Sequence, residues 1–198
     1  KSSRTFQFSA FPRTNIPHHI NSIDEYHKLV KNMKLANSIN KSGQIWWKIR
    51  PHINYGTVEF RMCDAQRSLT NIKAFAAIFQ SLVHRINEDK PKNTMYNHEL
   101  LNDALWKASS KDFNSKMIDP VNNEIITMKN MIFRLLDYIK PSLQYFNNYD
   151  AIDTVNNILE NGTEGDLQLK EYNKFTDDPN KGIKELKKYL INSVEYSL

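Results

Sequence analysis

The stretch QIWWKIRPHINYGTVEFRMCD, Gln44 to Asp64, decides how the rest of the chain is read. Ile45 to Arg50 is apolar, aromatic and β-branched, and Thr57 to Cys63 alternates, so each half predicts a strand. Pro51, Asn54 and Gly56 between them supply turn chemistry. Side chains of a strand point alternately to opposite faces. Val58, Phe60 and Met62 therefore share one face, and Thr57, Glu59, Arg61 and Cys63 the other. In the first strand Ile45, Trp47 and Ile49 lie together, opposite Trp46, Lys48 and Arg50. A register that joins the two charged faces gathers Lys48, Arg50, Glu59 and Arg61 on one patch.

A solvated outer face would carry these charges as cross-strand ion pairs worth about 0.2–1 kcal/mol each. Two features point elsewhere. Trp46 and Trp47 face opposite ways, so each side of the hairpin carries a large ring that calls for cover. Three cations against one carboxylate on that patch also leave a positive surplus. A concave face of this kind suits a phosphate-bearing ligand together with a divalent metal.

The chain has 198 residues, 40% of them hydrophobic, enough for one substantial core. Its net charge of +5 is uneven: residues 1–100 carry +8 and residues 101–198 carry −3. The basic half holds the hairpin, which favours a polyanionic partner. No basic run or nucleic-acid motif accompanies it, so a nucleotide is favoured over nucleic acid. No apolar run reaches membrane-spanning length, and the single cysteine, Cys63, fits a reducing, cytoplasmic setting.

Taken in order, Lys1 to Phe11 predicts an incoming strand or extended segment, with Phe6 and Phe8 on one face. Ser22 or Asp24 caps a helix running to about Leu35. Ser68 (or Asp64) caps a longer helix, whose Leu69, Ile72, Phe75, Ala76, Phe79, Leu82, Val83 and Ile86 predict a core stripe lying on the sheet. Further helices are expected over Glu99–Ser110, Asn130–Tyr145, Ala151–Glu160, Leu167–Phe175 and Ile183–Ser193, with Pro141 bending or ending the second of them. The fold class is α+β: antiparallel strands with covering helices over residues 1–90, then an all-helical region over 91–198 packed on them.

From Arg4 to its end the chain resembles the type 2 glutamate–cysteine ligases, carboxylate–amine ligases of the glutamine synthetase-like superfamily. The family pattern IWWD[IV]RPxPxxGTxEFRxCD is matched by Ile45-Trp46-Trp47-Lys48-Ile49-Arg50-Pro51 and Gly56-Thr57-Val58-Glu59-Phe60-Arg61-Met62-Cys63-Asp64. Ser3-Arg4, Phe11-Pro12-Arg13-Thr14, Trp106-Lys107-Ala108 and Gly162 with Asp166-Leu167-Gln168 are similar to further family segments. Lys48 stands where the family has Asp, Asn15 where it has Gly, and Leu167 where it has Arg. Ser110-Lys111-Asp112 replaces an Arg-Tyr-Gly. The resemblance covers only about the C-terminal half of a family member, so the N-terminal half of the same enzyme is an expected partner, and a homo-oligomer is compatible with it.

What the resemblance implies is a glutamine synthetase-like catalytic sheet that joins a glutamate-like carboxylate to an amine. ATP phosphorylates the carboxylate, and the amine displaces phosphate from the acyl phosphate, with Mg²⁺ as the metal. In such transfers the protein mainly positions groups and stabilises charge. Glu59 becomes the expected metal ligand, and Arg61 the guanidinium on the transferring phosphoryl group. Arg50, Arg4, Arg13 and Lys48 are the expected nucleotide- or carboxylate-binding cations. The plainer readings are a Glu59–Lys48 ion pair, loop cations at Arg4 and Arg13, and a Cys63 packed as a small hydrophobe. His18, His19 and His52 read as loop residues, and the tryptophans as packing rings. A non-catalytic nucleotide- or anion-binding module that keeps the fold is the alternative function.

Overall fold

A computed structural model describes residues 2–194 of the chain. Its first element already departs from expectation. The Ser2 hydroxyl accepts the Thr5 amide at 3.1 Å and opens helix α1, Ser3–Ser9. Two phenylalanines spaced by two residues do not establish a strand when a capping serine precedes them. Phe6 and Phe8 are exposed on this helix. Ser22 caps α2, Ile23–Leu35, by accepting the Glu25 amide, as its sequence predicts.

After a short 3₁₀ turn at Ser42–Gln44 come β1, Ile49–His52, and β2, Thr57–Phe60, paired antiparallel. Both strands are shorter than the alternation suggests. Ile45 closes the 3₁₀ turn, and the Trp46 and Lys48 amides bond instead to the Arg13 and Asn15 carbonyls at 2.8 and 3.2 Å. The incoming loop thus takes the hydrogen bonds that would have lengthened the strand. Gly56, at φ 61°, turns the hairpin.

Helix α3, Leu69–Asp89, is capped by Ser68. It is followed by α4, His98–Ser110, and then by β3, Lys116–Asp119, and β4, Glu124–Thr127, a second antiparallel hairpin. This hairpin corrects the expectation of an all-helical second half. Asp119-Pro120 and Asn122-Asn123 between two apolar pairs were its signal. The rest is α5, Met128–Tyr145, α6, Ala151–Asn161, α7, Glu164–Tyr172, and α8, Pro179–Asn192. Pro141 lies inside α5, which continues past it to Tyr145. The architecture is α+β, with two separate two-stranded sheets among the described residues. None of the described helices is long and apolar enough to cross a membrane.

Among the described residues two clusters form the core. In the larger one Ala74, Ala77 and Ile78 of α3 meet Leu136, Ile139 and Leu143 of α5 and Ala151 and Val155 of α6. The buried face of α3 is therefore not the expected stripe, for Ile72, Val83 and Ile86 are exposed. The helix carries two apolar faces, and the alanine face is covered because small side chains let α5 and α6 approach closely. α3 thus lies mainly on helices, and a stacked Phe60–Phe79 pair, 4.3 Å between centroids, ties it to β2. The smaller cluster packs Tyr26 and Val30 of α2 on Ile39 and Ile45, with Trp47 against it.

Candidate functional site

The β1–β2 register sets Arg50 opposite Glu59. The Arg50 Nε donates to Glu59 Oε2 at 2.6 Å, and Arg61 Nη1 donates to Glu59 Oε1 at 2.7 Å. One carboxylate is thereby gripped by two guanidiniums. Burial pushes the Glu59 carboxyl upward, but the hydrogen bonds and charges of Arg50 and Arg61 outweigh it and hold the group below its usual range.

The two arginines are not equivalent. Arg50 is buried, and its Nη1 donates to the Ser42, Gly43 and Ile45 carbonyls at 3.3, 2.8 and 2.5 Å. It holds the 3₁₀ turn onto the hairpin. Arg61 is half-buried, and among the described residues its side chain donates only through Nη1, to Glu59.

Just past β2, Asp64 brings in α1. Arg4 Nε donates to Asp64 Oδ1 at 2.8 Å, and the Ser2 hydroxyl lies 2.9 Å from the same oxygen. Arg4 Nη2 reaches the Arg61, Met62 and Cys63 carbonyls at 3.2, 3.0 and 2.8 Å. Arg4 is in this way chiefly a clamp between α1 and the end of β2. Ser68, not Asp64, caps α3, and the long-range contact with Arg4 gives Asp64 its place instead.

Lys48 sits beneath these groups at 4% exposure. Burial lowers its pKa from the ordinary lysine value; Arg4 and Arg61 push the same way, and Asp64 opposes them. It has no ion-pair partner among the described residues, so the Glu59–Lys48 pair is replaced by the two arginine pairs. Arg13 stands apart. It occupies left-handed backbone at φ 64°, passes its carbonyl to Trp46 and points Nε at the Gln44 carbonyl, 3.5 Å away. Cys63 is exposed rather than packed.

Arg4, Lys48, Arg50 and Arg61 thus gather around two carboxylates, Glu59 and Asp64, a positive surplus at the end of β2. Such a surplus suits an anion with oxygen acceptors. A divalent metal fits less well. Both Glu59 oxygens are occupied by arginines, and no three His, Cys, Asp or Glu side chains among the described residues meet in metal-binding geometry.

The sequence profile of glutamate–cysteine ligase family 2 matches residues 1–187. The chain belongs to that family. Named relatives agree with the assignment. A protein of Solibacter usitatus (strain Ellin6076), "Putative glutamate--cysteine ligase 2", is 30% identical over 201 residues, covering 100% of this chain and 51% of the relative. Proteins of the same name are 29% identical in Chloroflexus aurantiacus (strain ATCC 29366 / DSM 635 / J-10-fl) and 30% identical in Sorangium cellulosum (strain So ce56). They cover 89% and 87% of this chain, and 46% and 47% of their own lengths. The chain spans about half the length of these curated relatives. In this member of glutamate–cysteine ligase family 2, residues 44–64 supply every member of the charged cluster except Arg4.

Proposed function

We propose that the protein is an ATP-dependent carboxylate–amine ligase, and that this chain supplies part of its phosphoryl- and carboxylate-binding wall on a glutamine synthetase-like sheet. A carboxylate is a poor electrophile for an amine. Transfer of the γ-phosphoryl group of ATP to a glutamate-like carboxylate makes an acyl phosphate. The amine nitrogen then attacks the carbonyl carbon, the bond to the phosphate oxygen breaks, and phosphate leaves. Such chemistry asks for positioned positive charge more than for a protein nucleophile.

The observation that supports this reading is the cationic surplus around Arg61, together with family membership. Arg61 is the proposed phosphoryl contact, because its fork is the least committed of the cluster arginines. Lys48 adds positive charge behind it. Arg50 and Arg4, engaged with carbonyls and carboxylates, act mainly by holding the hairpin and α1 in register. Arg13 is left with a role in the incoming loop and is the weakest nucleotide-binding candidate.

Mg²⁺ would accompany ATP in this reaction. Glu59 could ligate it only after releasing an arginine, so the residues present do not by themselves form a metal centre. The saturated Arg50–Glu59–Arg61 triad equally favours a second reading, an anion-binding module without turnover. One assay on the full-length protein separates the two. With Mg²⁺, ATP and glutamate, adding an amine should release inorganic phosphate, and Arg61→Ala should slow that release by roughly 10³-fold. Nucleotide binding by calorimetry without phosphate release would instead support the module, and undiminished turnover in Arg61→Ala would refute the role given to Arg61.

A further inference from the structure

His98 opens α4 and fastens it to the loop between α1 and α2. Its Nε2 lies 3.0 Å from the Ile16 carbonyl, and a carbonyl only accepts, so that nitrogen carries a hydrogen. Its Nδ1 is 3.1 Å from the Asn102 side-chain nitrogen, which donates to it while the ring is neutral. The His18 ring stacks on the His98 ring, 3.9 Å between centroids and 23° between planes. The same loop passes its Arg13 and Asn15 carbonyls to the Trp46 and Lys48 amides. One stretch of chain is thus held to α4 at Ile16 and, just before it, to the first arm of the hairpin.

The surroundings of the stack are short of negative charge. A cleft of about 720 Å³ beside it is lined by Arg13, His18 and His19 of the loop, by Glu25 and Lys28 of α2 and by His98, with Trp47 as an apolar wall. Among the described residues lining it Glu25 is the one carboxylate, and its Oε2 already accepts from the Asn21 amide and side chain at 2.7 and 2.8 Å. On α4, Asp103 is paired with Lys107, and Glu99 is exposed. His98 moreover sits in the first turn of a helix, where the dipole disfavours a cation.

We propose that the His18–His98 stack is a pH-sensitive latch: neutral rings hold the loop on α4, and protonation of both releases it. The inference stands apart from the ligase reading. Histidine changes charge between about pH 5 and 8. One imidazolium can still stack on a neutral imidazole, as a cation does on a ring face. Two imidazoliums at contact distance repel, and Arg13 and Lys28 add to the repulsion while Glu25 opposes it. Asn102 does not decide the matter, because its amide can turn over and accept from a protonated Nδ1. The released loop takes up the second proton more readily than the stacked one, so acid favours release. Release reaches the charged cluster through the Asn15 carbonyl that holds the Lys48 amide.

Hydrogen–deuterium exchange of the full-length protein, corrected for intrinsic rates, tests the latch. From about pH 7.5 to about pH 5.5, protection of residues 13–20 should fall about tenfold or more in the wild type, with α3 unchanged. His18→Phe keeps a ring on His98 but removes one charge, so protection should fall by less than about twofold. His98→Gln retains a donor for the Ile16 carbonyl without a titrating group, and should hold the loop equally at both pH values. Thermal melts at neutral pH verify the fold of each variant, and either one suffices. No fall in the wild type, an equal fall in a folded variant, or a fall that spreads to α3 overturns the latch.

Discussion

Lys48 and Arg50 sit two residues apart on the first arm of the hairpin, and the protein treats them differently. A guanidinium has five donors in a flat fork. Arg50 can therefore be buried at 8% exposure while satisfying Glu59 and three carbonyls at once. Lys48 is buried more deeply and pairs with no carboxylate among the described residues. A buried charge without a partner costs stability. The sign follows from its lowered pKa. Below that depressed value the folded state carries the cost of the ammonium ion, and the cost fades as pH rises through it toward the ordinary lysine range. Lys48→Met is therefore expected to stabilise the fold by about 1 kcal/mol at neutral pH. The gain should shrink in alkali, as read from urea midpoints across pH. A loss of stability at neutral pH would show that Lys48 has an anionic partner after all.

Among the elements, the helix ends follow their caps closely, and the turn from α6 to α7 depends on one glycine. Gly162 has φ 98°, and a Cβ there would meet the Asp166 Cβ at 2.9 Å. Asp166 is not free to retreat, since its Oδ2 accepts from the Thr163 amide and hydroxyl at 3.1 and 2.7 Å in a capping box. Gly162→Ala should cost about 1–3 kcal/mol through backbone strain. Loss of the capping box should add to it, and chemical denaturation measures the sum. An alanine tolerated without loss would mean that the cap readjusts. The second hairpin is held differently. Asp119, 2% exposed, accepts from the Val121 amide, Asn122 and Arg134 at 2.8, 2.9 and 2.7 Å. Its turn residues were visible in the sequence, but each apolar run is only two residues long. So short a run does not set a period of two, and tertiary support from Arg134 on α5 makes the hairpin.

At the scale of the molecule, one arginine joins distant parts of the chain. Arg67, in the segment before α3, pairs its Nε with Glu164 Oε2 at 2.7 Å; Glu164 is buried and Arg67 largely so. Its Nη2 donates to the Tyr189 hydroxyl at 3.2 Å, and its Nη1 to the Ser193 hydroxyl. The start of α7 and the end of α8 are thereby fastened to the stretch that leads from Asp64 into α3. Removing one partner of a buried ion pair leaves the other charge uncompensated. Arg67→Ala should cost about 3–5 kcal/mol on that account. Amide exchange should rise first in α7 and α8. Equal protection there in the variant would show that the two helices are held by other contacts.

Read alone, the sequence determined the family, the α+β class, most helix boundaries and the gathering of Arg50, Glu59 and Arg61 on one hairpin face. These follow from local rules: caps, turn residues, and the two-residue period that places side chains on a strand. Tertiary structure decided which face of α3 is buried, that α1 is a helix, and which carboxylate each arginine takes. It also brought Asp64 to Arg4. Those outcomes turn on which distant surface packs closest and which buried donor finds an acceptor, and neither is written in the spacing of neighbouring residues.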